Sequence, residues 1–366
     1  MTSLEARLRR LIVDHGPISV ARYMALALAD PAGGYYPQRD PLGRAGDFIT
    51  APEVSQLFGE LIGLALAQHW LDLGGPDPVA LVELGPGRGT LLADAVRAAS
   101  VVPAFRTALS IHLVETSPAL RERQAAALPG LPVHWHDDLA GLPRDRPLLL
   151  VANEFLDALP IRQFHKRGGR WFERLVGVDA DGRFGFVAAT RSTPFPAAAG
   201  VTPDLPDDTL LELGPARAAF AEDVALRLVG QGGLALLIDY GSDAPAMTGD
   251  TFQAVRHHAK VDPLVEPGCA DLSAHVDFRA LAVRARAAGA AVFGPLPQAT
   301  FLDRLGIGLR LRRLLERATP AQRQLLESGH ARLMDETQMG RLFKVLALTS
   351  PEAPLLPSFA AEERWP

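Results

Sequence analysis

One run of the sequence puts an acidic residue directly ahead of three alternating glycines: Glu83-Leu84-Gly85-Pro86-Gly87-Arg88-Gly89. Glycine has no Cβ, so a strand that turns through such residues into a helix lets backbone approach a ligand closely. A dinucleotide-binding turn requires Gly-x-Gly-x-x-Gly or Ala, and counting from Gly85 places Thr90 at the third required position. A P-loop requires Gly-Lys-Ser/Thr, where this chain has Arg88-Gly89-Thr90. What remains is an acid followed by Gly-x-Gly-x-Gly. That pattern suits a cationic ligand with an amino-acid head: Glu83 offers the compensating charge, and Gly85, Pro86, Gly87 and Gly89 offer an open backbone. The alternative is a tight strand-to-helix turn that binds nothing.

Three later acidic positions follow the same logic. Glu115 ends the next apolar run, 26 positions after Gly89, close to the roughly 20-residue offset at which α/β nucleotide folds place a ribose-binding carboxylate. Asp137 and Asp138 end the third run and are candidates for the exocyclic amine of an adenine ring. The fourth run ends in Asn153-Glu154-Phe155-Leu156-Asp157. Ligands of open α/β sheets lie outside the carboxyl ends of strands, so Asn153, Glu154 and Asp157 are the expected catalytic residues. Helix capping by Asn153 and simple solvation of the two acids are the competing reading.

Other chemistries find less support. His134 and His136 share one strand face beside Asp137 and Asp138, but no third separated ligand group is evident, so no metal is expected. No Gly-x-Ser-x-Gly elbow is present, and the single cysteine, Cys269, has no patterned histidine to activate it.

The elements that would carry these residues alternate. Strands are expected at 79–83, 109–115, 133–136 and 148–151, with helices at 90–99 and 118–128 between them, which predicts a parallel sheet covered by helices. Residues 161–190 break the pattern with period-two alternation around Gly168-Gly169 and Asp181-Gly182, the mark of two inserted β-hairpins. A helix at 215–229 and a strand at 234–239 resume the series. A helix at 278–287, a strand at 291–293, an Arg/Leu-rich helical stretch at 302–326 and a last strand at 343–349 complete it. Residues 30–52 are dense in Pro and Gly and read as a long loop.

Composition sets the outer bounds. With 366 residues and 48% hydrophobic content the chain can fill a large core without disulfides, and its lone cysteine fits a reducing compartment. A net charge of -5 gives no global basic field for nucleic acid. The most apolar helix, 57–73, is interrupted by Glu60, Gln68, His69 and Asp72, so it reads as a core helix and not as a membrane span.

Three separated segments resemble one family: Gly46-Asp47-Phe48-Ile49-Thr50-Ala51-Pro52-Glu53, the Glu83 to Gly89 loop, and the run from Asn153 to Pro160. Together with Asp239-Tyr240-Gly241, the Asp271 to Phe278 run and Met339-Gly340-Arg341-Leu342-Phe343-Lys344-Val345, they are similar to the MidA family of class I methyltransferases, which includes a mitochondrial complex I assembly factor. The resemblance implies a Rossmann-like, mostly parallel seven-stranded sheet with an N-terminal helical region and inserted hairpins and helices. It implies S-adenosyl-L-methionine as cofactor, with Thr50, Pro52 and Glu53 joining the glycine loop around it, and no metal. It also implies arginine methylation of a protein client, such as a complex I-type subunit, for which Glu53 is a third candidate carboxylate.

On that pattern 1–78 is an N-terminal helical region with a cofactor-proximal loop, and 79–160 is the first part of the core. Residues 161–232 form an inserted substrate region, 233–350 the second part of the core with a helical insertion, and 351–366 a tail. The N-terminus alternates apolar and charged residues and carries Glu5 and Asp14, unlike a transit peptide, so a bacterial cytoplasmic location is expected, with the mitochondrial matrix only for an organellar relative. A client-binding, non-catalytic assembly factor and a Rossmann oxidoreductase stand as the alternatives.

Overall fold

The computed structural model describes residues 3–38, 49–194 and 205–366. The chain forms two compact units that are not contiguous in sequence: Met1–Phe48, Leu156–Phe220 and Ser242–Val283 make one, and Ile49–Phe155, Ala221–Gly241 and Arg284–Pro366 make the other. The sequence spans 1–78, 79–160, 161–232 and 233–350 are each divided between units. The reason is packing: the helices Leu4–His15 and Val20–Ala29 bury Leu8, Ile12, Tyr23 and Met24 in a core shared with Ile161, Val176 and Phe252, and not with the sheet that begins at Val79.

The second unit is built on seven strands: β1 (Val79–Leu84), β2 (Leu109–Val114), β3 (Val133–His136), β4 (Leu148–Asn153), β5 (Gly233–Ser242), β6 (Ala291–Pro297) and β7 (Phe343–Thr349). Their order across the sheet is 3-2-1-4-5-7-6. Strands β1 to β5 pair in parallel, and β7 runs antiparallel to both β5 and β6. Every residue of β1 and β4 is buried, as expected for central strands covered by helices on both faces. The chain moves outward from β1 to β3 and then returns to place β4 beside β1. This reversal opens a crevice at the carboxyl ends of those two strands.

Helices α1 (Gln56–Asp72) and α2 (Thr90–Ala99) cross so closely that a Cβ on Gly63 would lie 2.2 Å from the Ala95 carbonyl oxygen. Glu60 of α1, fully buried, is held by Arg97 of α2 at 2.8 Å. Helix α3 (Pro118–Ala127) starts on a Ser117 cap and follows β2. The expected helical stretch at 302–326 is three helices: α4 (Gln298–Arg304), α5 (Ile307–Leu315) and α6 (Pro320–Met334). Gly306, at φ 83°, ends the first, and the Thr319 capping box with Pro320 starts the last. Among the described residues no helix is long and apolar enough to cross a membrane.

In the first unit the two expected hairpins are present as Arg162–Arg167, Arg170–Val178 and Phe184–Ala188, turning at Gly168-Gly169 with φ 54° and 71°. A small sheet of Gln253–Arg256, Ala259–Val261 and Asp271–Ser273 was not expected, because its strands are too short to show a period.

Candidate active site

The glycine loop leaves β1 with three left-handed residues, Gly85, Gly87 and Gly89, at φ 58°, 53° and 81°. At Gly85 an added Cβ would lie 3.0 Å from the Phe155 ring, so the loop and the segment after β4 are in direct contact. Glu83 is 4% exposed. Burial, offset only in part by the Leu92 backbone N–H at the start of α2, pushes its pKa up to about 8. Its Oε2 has no hydrogen-bond partner among the described residues. An unsatisfied buried carboxylate oxygen is costly unless a ligand or water completes it, and a cationic amino-acid head meets that need.

Glu115 follows β2 and is poised by two neighbours. It accepts from the Ser117 backbone N–H at 2.8 Å and from Gln124 Nε2 at 3.3 Å, and burial raises its pKa. Gln124, fully buried on α3, also donates to the Gly87 carbonyl at 2.8 Å and accepts from Trp135 Nε1 at 2.8 Å. One side chain thus ties the glycine loop, the Glu115 carboxylate and β3 together. Sequence reasoning missed Gln124, since nothing distinguishes a glutamine inside a helix until its neighbours are known.

Asp137 and Asp138 have structural partners. Asp137 is paired with Arg121 at 2.6 Å and its side chain is 83% exposed. Asp138 Oδ1 caps the turn Leu139–Gly141 through the Ala140 and Gly141 N–H groups at 2.8 and 3.3 Å. His134 and His136 gain a third histidine, His112, whose Nδ1 lies 3.0 Å from His136 Nε2 while its ring stacks on His134. Among the described residues no group of three or more His, Cys, Asp or Glu side chains is arranged to hold a metal ion.

At the end of β4, Glu154 takes φ 50°, a left-handed conformation that a non-glycine residue adopts at a cost. Its Oε1 accepts the Ala51 backbone N–H at 2.8 Å and Asn153 Nδ2 at 3.2 Å. Ala51 opens the short helix Ala51–Val54, capped by Thr50 and carrying Pro52 near its start. Glu53 of that turn accepts from Thr90 Oγ1 at 2.5 Å and lies 4.0 Å from Arg88. The structure therefore brings Thr50, Pro52, Glu53, the glycine loop, Asn153 and Glu154 together in one unit. Gly46, Asp47 and Phe48 lie outside the described residues.

Asp157 belongs to the other unit. It is 8% exposed, and its Oδ1 accepts the next backbone N–H, that of Ala158, at 2.9 Å. Its carbonyl accepts from Ala274 N–H at 3.1 Å and from the buried Arg217 at 2.8 Å. Arg217 also reaches the Ala274 and His275 carbonyls at 3.0 and 2.6 Å, tying the backbone at Asp157 to that at Ala274 and His275.

A family model of S-adenosyl-L-methionine-dependent methyltransferases matches residues 61–296. The chain belongs to this methyltransferase family. It is 39% identical over 378 residues to the protein arginine methyltransferase NDUFAF7 homolog, mitochondrial, of Drosophila melanogaster, covering 94% of this chain and 84% of that one. With the Homo sapiens protein arginine methyltransferase NDUFAF7, mitochondrial, identity is 38% over 375 residues, covering 95% and 83%. A crystal structure of a protein from Burkholderia thailandensis, bound to S-adenosyl-homocysteine, superimposes with a TM-score of 0.82 at 31% identity, covering 98% of this chain and 96% of that one. The family's cofactor is S-adenosyl-L-methionine, and the sheet order 3-2-1-4-5-7-6 with an antiparallel β7 is the class I arrangement expected from the sequence.

Proposed function

We propose that this methyltransferase acts on an arginine side chain of a protein client, with Glu154 holding the guanidinium. The observation that carries this reading is the Glu154 carboxylate itself, kept in a strained left-handed backbone at the carboxyl end of β4, the strand next to the one that delivers the glycine loop. The names of the NDUFAF7 relatives support the substrate class.

Glu83, Glu115 and the glycine loop are the residues that would hold the cofactor, which when bound supplies a methyl group activated on a sulfonium. Glu83 meets the cationic amino-acid head, and Glu115 accepts hydrogen bonds from the ribose hydroxyls. The acceptor residues then have two tasks. A guanidinium stays protonated across the working pH range and presents a planar fork of N–H donors, so a carboxylate must orient it and draw charge away from the attacking nitrogen. Glu154 does this. Alignment at about 3 to 3.5 Å supplies most of the rate, since displacement at a methyl group needs no strong acid.

Single-turnover transfer in Glu154→Gln, measured beside cofactor affinity, tests this. Transfer should fall about 100-fold or more, with affinity for S-adenosyl-L-methionine nearly unchanged. Equal loss of both would move Glu154 into the cofactor pocket, and full activity would leave it a structural residue only.

A further inference from the structure

Part of the helical insertion of the sheet unit carries an excess of cations. Positions 310–323 hold five arginines and one glutamate in a chain whose net charge is -5. Two of these arginines are engaged: Arg310 donates to the buried Glu60 at 2.7 Å, and Arg323 lies 3.7 Å from Glu327. Arg312, Arg313 and Arg317 are exposed and enter no ion pair among the described residues.

The face that presents them is also unusual in its apolar content. Helix α5 turns Ile307, Leu311 and Leu314 to the core. A period of 3.6 places Leu309, Arg312 and Arg313 on the opposite side. Leu309 is 52% exposed there, and Leu325 of the neighbouring α6 is 55% exposed. A face kept only for solubility interleaves both signs of charge and hides its leucines; unpaired arginines around exposed leucines have the composition of a contact surface.

Topology puts this face beside the site. Strand β6 runs parallel to β5 and β7 antiparallel, so the segment between Pro297 and Phe343 leaves and re-enters the sheet at the edge where β1 and β4 end. Helix α6 packs onto the Ala51–Val54 turn so tightly that a Cβ on Gly329 would lie 2.9 Å from both Ser55 Cβ and the Val54 carbonyl oxygen. That turn carries Glu53, bonded to Thr90 at the end of the glycine loop.

We infer that α5 and the turn into α6 form a docking surface for an acidic segment of the protein client, next to the arginine to be methylated. The inference rests on the protein-arginine reading above. Three cations set between leucines match a peptide that alternates acidic and apolar side chains. A nucleic acid would need a longer basic track, and the net charge of the chain opposes one.

The test is binding to the full-length protein, saturated with S-adenosyl-homocysteine, of a labelled peptide that carries one arginine among aspartates and leucines. Its counterpart has asparagine at every aspartate. The acidic peptide should bind at least about tenfold more tightly, and weaken with added salt. In R312E/R313E/R317E its affinity should fall about tenfold or more at unchanged melting temperature and S-adenosyl-homocysteine affinity, and R312Q/R313Q/R317Q should fall between, giving a reading even if the charge reversal impairs folding. Equal affinity for the two peptides, or indifference to both triple variants, would overturn the proposal. So would capture by this face of a single-stranded oligonucleotide or phosphatidylserine vesicles in place of the acidic peptide. Because the readout is binding, its failure is distinguishable from failure of arginine transfer, which Glu154→Gln tests separately.

Discussion

Glu154 Oε1 and the Ala51 backbone N–H, 103 positions apart in sequence, are joined by a 2.8 Å hydrogen bond that fastens the Thr50-capped turn to the end of β4. The proposed acceptor carboxylate is therefore also a structural acceptor, and the two roles separate by substitution. Glutamine keeps an oxygen for the Ala51 N–H, so Glu154→Gln should melt close to wild type. Glu154→Ala leaves that donor unpaired and should cost about 1 to 3 kcal/mol. Thermal unfolding of the two variants checks this, and equal destabilisation would remove the hydrogen bond from the account.

Gly87 has φ 53°, a region that a β-branched residue adopts only with strain. Gly87→Val should abolish S-adenosyl-L-methionine binding and leave the fold intact, since the loop is a turn outside the core. Calorimetric titration of the folded variant decides it; unchanged affinity would sink the loop's assignment.

Glu83 links cofactor binding to pH. Its pKa, pushed up to about 8 by burial, leaves it mostly protonated at pH 7, and a cationic ligand prefers the carboxylate. Affinity for S-adenosyl-L-methionine should rise with pH up to about 8, by at most about tenfold per pH unit, and then level off. For stability the sign is opposite. The folded cofactor-free protein holds this proton above the unfolded pKa, so the Glu83 contribution to stability declines as pH rises towards about 8. Glu83→Gln should flatten both dependences, and parallel titrations of wild type and variant measure it.

Glu115 accepts from Ser117 and Gln124 and is expected to take the ribose hydroxyls as well. Glu115→Ala should weaken cofactor binding by about 1.5 to 3 kcal/mol, the range for hydrogen bonds to a charged group. A loss of a few tenths in calorimetry would take Glu115 out of the pocket.

What the sequence made legible was local and periodic. The helices at 90–99 and 278–287 and the strand at 343–349 appear at those bounds, because each has a clear period and a glycine, aspartate or turn at its edge. Glu83, Glu115 and Glu154 were legible as strand ends, a property of chain order. The Gln124 lock and the Arg217 staple were not, because each acts through carbonyls and side chains distant in sequence. The same holds for His112, which meets His136 only once β2 and β3 are paired in register. The break of 302–326 into separate helices was readable at Gly306 and at Thr319-Pro320, but the continuous Arg/Leu pattern masks it.

The most direct measurement is to incubate the protein with methyl-labelled S-adenosyl-L-methionine and a cell lysate, then hydrolyse the labelled material. Label should appear in a polypeptide, recovered as methylated arginine, with at least about 100-fold less of it in Glu154→Gln at equal cofactor occupancy. Label recovered on another residue or on a small molecule, or no transfer from a protein that demonstrably binds the cofactor, would contradict it.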